Sequence, residues 1–165
     1  MEQGKIHIFT GDGHGKTPAA IGEAIYAAGN NKSVVVIQFL KANAIVNAEY
    51  FKRLEPEIKF FRFEKATEDY VNLDEKAREE EKMNILNGLH FAKKVLSTGE
   101  CDLLILDEVL GLVDIGIISV DEIKTILEAK DEETTVIMTG IQLSDELCVL
   151  ADEVSKIETV NFKVF

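Results

Sequence analysis

The chain has 165 residues, 46% hydrophobic and 29% charged, which excludes disorder as its main state and suits one domain, 1–165, with a real core. Thirty acidic against 18 basic side chains give a net charge of −12, which repels a phosphate backbone and argues against nucleic acid as a partner. No apolar run approaches the roughly 20 residues of a bilayer span, and Met1 to Lys5 lacks a basic stretch followed by an apolar one, so a cytoplasmic protein without a membrane partner is expected.

Residues 5–10 alternate and end at a glycine cluster, the pattern of a strand. Residues 15–29 carry Ala20, Ile21, Ala24, Ile25 and Ala28 at helical spacing and stop at Gly29-Asn30-Asn31. Residues 33–40 contain Val34-Val35-Val36-Ile37, apolar on both faces, as a strand in a helix-covered parallel sheet must be. A short helix is expected over 45–54, a third strand over 58–63 and a loop over 64–71. The longest helix should start at the cap Asp74 and run to Ser97, with Glu75, Glu79, Glu80 and Glu81 forming a solvated face near its positive end.

A buried strand over 102–106 runs into Asp107-Glu108. Ser119 and Glu122 form a capping box for a helix over 120–130. A further buried strand covers 134–139, a short helix 144–151, and 154–165 is terminal strand or coil. Strands alternating with helices give an α/β fold with a mostly parallel sheet flanked by helices. Cys101 and Cys148 sit beside aliphatic residues with no metal-ligand spacing, so both are expected to be buried thiols.

Thr10-Gly11-Asp12-Gly13-His14-Gly15-Lys16-Thr17 lies between the first strand and the first helix, where a phosphate-binding loop belongs. Its glycines let successive N–H groups turn inward as an anion nest. Lys16 would place an ammonium on the outer phosphates, and Thr17 would offer its hydroxyl to magnesium. The usual pattern has a glycine where this chain has Thr10; here the glycine comes one place later, at Gly11. A dinucleotide fingerprint fits worse, because the spacing is G-x-G-x-G and Gln38-Phe39 follows the second strand where an acid would be needed. Pro18 is tolerated in the first helical turn.

Asp107 and Glu108, at the end of four aliphatic residues, can reach the same sheet edge as Thr17, Asp107 at the metal and Glu108 at the metal, a water or the substrate. Arginine occurs only at Arg53, Arg62 and Arg78, so cations are expected to be scarce around the site, which speaks against a kinase or fast NTPase.

These residues resemble the P-loop-type corrinoid adenosyltransferases, which act on cob(I)yrinic acid a,c-diamide or cob(I)alamin. The likeness rests on the offset loop Ile8 to Thr17, on Val36-Ile37-Gln38-Phe39-Leu40-Lys41, on the strand ending Asp107-Glu108-Val109, and on Val136-Ile137-Met138-Thr139-Gly140 with Glu146-Leu147 and Ala151-Asp152. It implies a RecA-like P-loop NTPase fold, a homodimer, and ATP, Mg2+ and a reduced corrinoid as ligands. Cobalt(I) attacks the 5′ carbon of ATP and triphosphate leaves. In this reading Thr10, Gly11, Asp12, Gly13, His14, Gly15, Lys16 and Thr17 hold the nucleotide, Thr17, Asp107 and Glu108 hold the metal, and Lys16 and Glu108 serve the reaction. The sequence departs from the family pattern at His14, Pro18, Ala42, Leu110 and Ile141, has no tryptophan, and ends at Phe165 without the family's extension past the last strand. A non-catalytic nucleotide- or corrinoid-binding relative and another P-loop ATPase or kinase are the alternative readings.

Overall fold

The structure is a computed structural model that describes residues 3–12, 14–40 and 48–163. Six strands, β1 (Ile6–Thr10), β2 (Val34–Gln38), β3 (Ile58–Phe61), β4 (Leu103–Asp107), β5 (Thr135–Thr139) and β6 (Glu153–Lys156), form one sheet in the order β3-β2-β4-β5-β1-β6. Every pairing is parallel, with Ile6 opposite Val136, Thr10 opposite Lys156 and Gln38 opposite Asp107. All residues of β2 and β4 are buried, which is why both read as unbroken apolar runs.

Alternation along the strands splits the core between two faces. Ile8, Val35, Ile37, Leu104, Leu106, Val136 and Met138 face the larger cluster, built with α3 (Glu75–Thr98), α4 (Val109–Asp114) and α5 (Val120–Glu128). Phe9, Val34, Val36, Leu103, Ile105 and Ile137 face α1 (Lys16–Gly29), which lies close to the sheet through the small side chains Ala20 and Ala24. Asp74 caps α3 by accepting the N–H of Ala77 at 2.8 Å, and Ser119 with Glu122 closes the expected capping box on α5.

Several local expectations are corrected. α4 was not legible as a helix: Val109, Leu110, Gly111 and Leu112 are all buried, so the segment has no polar face and no period. The helix expected over 45–54 is the shorter α2 (Ala48–Lys52), and 41–47 lies outside the described residues. The loop over 64–71 ends in a single 3-10 turn at Tyr70–Asn72. The helix expected over 144–151 is one turn, α6 (Asp145–Cys148).

Glu81 is not on a solvated face. It is buried and accepts from the Lys65 N–H at 3.0 Å and from Asn84 at 2.9 Å, because it lies one turn before Ile85 on the core-facing stripe of α3. Cys101 is buried, and burial with Asp102 nearby pushes its thiol up to about 12, but Cys148 is exposed on the short α6. No described helix is long and apolar enough to cross a membrane.

Leu110 is fully buried against Gly140, just past β5, where an added Cβ would lie 2.4 Å from the Cβ of Leu110. Gly140→Ala is therefore expected to destabilise the protein by about 1–3 kcal/mol. The loss should appear as a lower urea midpoint at an unchanged slope; an unmoved midpoint would show that α4 yields freely.

Candidate active site

Four strands end on a buried polar residue at one edge of the sheet: Thr10 on β1, Gln38 on β2, Asp107 on β4 and Thr139 on β5. β5 lies between β1 and β4, so the phosphate loop and the acidic pair share the sheet edge without coming from neighbouring strands. The gap is closed by α1. Its second residue, Thr17, donates its hydroxyl to Asp107, with Oγ1 at 2.9 Å from Oδ1 and 3.1 Å from Oδ2.

The loop leaves β1 at Thr10, whose hydroxyl donates to the carbonyl of Ile141 at 3.1 Å, and the Gly11 N–H donates to the same oxygen at 3.3 Å. Gly11 has φ 117, and its missing Cβ would lie 2.2 Å from the carbonyl oxygen of Ile157, so strain and contact both demand glycine. Asp12 and His14 are exposed; Gly13 lies outside the described residues. Gly15 is the left-handed N-cap of α1 and supplies no side-chain cap. Lys16, Thr17 and Pro18 make its first turn.

Asp107 is 1% exposed. Besides Thr17 it accepts from the Thr139 hydroxyl at 2.8 Å, and Gln38 Nε2 approaches its Oδ2 at 3.4 Å. The Thr139 hydroxyl in turn accepts the Glu108 N–H at 2.7 Å. That bond fixes Glu108 at φ 61, a left-handed conformation that costs a non-glycine residue about 1 kcal/mol. The Glu108 carboxylate turns over Gly111, where an added Cβ would lie 3.4 Å from Oε2.

Arg62, just past β3, donates from Nε to Gln38 Oε1 at 2.8 Å. A cation therefore stands two hydrogen bonds from Asp107. Burial holds its guanidinium below the ordinary arginine range, and Asp107 acts in the opposite direction.

Arg62 and Thr139 were not found by sequence reasoning. The available signal was the polar residue that ends each apolar strand, which places Gln38, Asp107 and Thr139 side by side. No group of three or more His, Cys, Asp or Glu able to hold a metal occurs among the described residues. The oxygen donors Thr17, Asp107 and Glu108 instead suit a hard cation that keeps several waters and borrows oxygens from a bound phosphate. A separate cleft of 930 Å³ opens at the opposite edge of the sheet, beside Lys5, His7, Tyr26 and Leu103, and shares no residue with this site.

Residues 2–164 match the model of the family described as ATP:corrinoid adenosyltransferase BtuR/CobO/CobP. The corrinoid adenosyltransferase of Escherichia coli (strain K12) is 33% identical over 159 residues, covering 96% of this chain and 79% of that protein. The corrinoid adenosyltransferase CobA of Salmonella typhimurium (strain LT2) is 32% identical with the same coverage. Among solved structures, a KaiC-like protein of Pyrococcus horikoshii aligns with TM-score 0.57 and 16% identity over 99% of this chain and 77% of that one, a likeness of fold.

Proposed function

We infer how this site works from one premise: the chain belongs to the ATP:corrinoid adenosyltransferase family. Its reaction is the transfer of the 5′-deoxyadenosyl group of ATP to the cobalt(I) of a corrinoid. The cobalt supplies the electron pair of the new cobalt–carbon bond, the bond from C5′ to the α-phosphate oxygen breaks, and triphosphate leaves with the electron pair of that broken carbon–oxygen bond.

The observation that carries our reading of the residues is the bond from Thr17 to Asp107, which ties the phosphate loop to the acidic strand across β5. Main-chain N–H groups of the loop from Thr10 to Thr17 would hold the triphosphate, with Lys16 neutralising the charge that grows on the leaving oxygen. Thr17, Asp107 and Glu108 would hold Mg2+, which supplies further neutralisation of the phosphates when bound. Gln38 and Arg62 would keep the Asp107 carboxylate aimed at that position. No proton moves in the transfer, so the site needs no side-chain base or nucleophile; it needs C5′ held in line between cobalt and triphosphate. By the same membership we propose a cytoplasmic homodimer working on these small molecules without nucleic acid or membrane.

The test is an anaerobic assay with ATP, magnesium and chemically reduced cobalamin, followed by the spectral change on forming the cobalt–carbon bond. Product formation that requires the protein is expected. Intact ATP binding by calorimetry with no product would replace the transferase reading by that of a nucleotide-binding relative.

A further inference from the structure

The chain beyond β6 does not leave the phosphate loop. The Ile157 N–H donates to the Thr10 carbonyl at 2.8 Å, which extends the β1–β6 pairing past its last strand residue. The Ile157 carbonyl then fills the space that Gly11 leaves open. Two residues on, Thr159 Oγ1 accepts the main-chain N–H of His14 at 2.8 Å. A strap of residues 157–159 thus crosses the loop from its first residue to the residue before Gly15.

The His14 amide belongs to the row of N–H groups that a phosphate loop turns toward its ligand. It carries one hydrogen, and a neutral hydroxyl and a phosphate oxygen compete for it. We propose that Thr159 is a residue of the nucleotide site: its hydroxyl holds the His14 amide that a phosphate oxygen would otherwise take, must release it when nucleotide binds, and so sets nucleotide affinity. This rests on the reading that the loop holds a triphosphate. The exchange is favourable, because a bond to a charged phosphate oxygen is stronger than one to a neutral hydroxyl, but it costs the bond already made.

Thr159→Val removes the acceptor and keeps the branched shape. A surface hydrogen bond is worth about 0.5–1.5 kcal/mol, so calorimetry should find ATP bound about two- to tenfold more tightly by the valine variant. Hydrogen exchange at the His14 amide should quicken by a similar factor without nucleotide, and Thr159→Ser should restore wild-type affinity. Unchanged or weaker binding by a folded valine variant would overturn the proposal while leaving the loop reading intact. Wild-type protein that binds no ATP would overturn both.

Discussion

Lys16→Ala is expected to weaken ATP binding by about 10- to 100-fold and to remove adenosyl transfer at ordinary ATP concentrations. Lys16 is the first residue of α1, where the helix end and the ammonium act on the same anion. A charge-assisted hydrogen bond is worth about 1.5–3 kcal/mol, which converts to that range. The residue lies on the partly exposed first turn, so the fold should survive and titration calorimetry can report affinity directly. Affinity within twofold of wild type would refute the assignment of the loop, because no other described lysine belongs to it.

Asp107→Asn probes the other half of the site. The substitution keeps the size of the side chain and removes its charge, and the hydroxyls of Thr17 and Thr139 can turn to accept from the new amide. The half-saturating magnesium concentration for adenosyl transfer should rise by about 10- to 100-fold, the usual cost of disturbing the support of a metal site. The urea midpoint reports separately whether the variant is folded. A folded variant with an unaltered magnesium requirement would place the metal elsewhere and leave Asp107 a structural carboxylate.

The frame of the fold was legible because β2 and β4 are apolar on both faces and clear caps stand before β4, at Asp74, and after it, at Ser119. α4 was hidden because its first four residues, Val109 to Leu112, are all buried and leave no period to read. Glu81 was misread because a run of glutamates suggests solvent, although its place one turn ahead of Ile85 puts it on the buried stripe. In the site, Thr17, Asp107 and Glu108 were legible from motif and order. Arg62 and Thr159 were not, since they meet Gln38 and His14 only through strand pairings that join distant parts of the chain. Pro18 falls on the first helical turn and Leu110 is absorbed into the core.

The strand order also dictates when the site can exist during synthesis. β2, β3 and β4 pair among themselves and can join as the ribosome delivers them. β1 emerges before all of them, yet both of its neighbours, β5 and β6, are made only after β4. The loop that follows β1 is therefore without its flanking strands until β5 and β6 have been made, and such long-range closure is slow. Nucleotide stabilises only what it can bind, so ATP can act as a folding ligand only once β5 and β6 have joined β1 and gives no shelter to a shorter nascent chain.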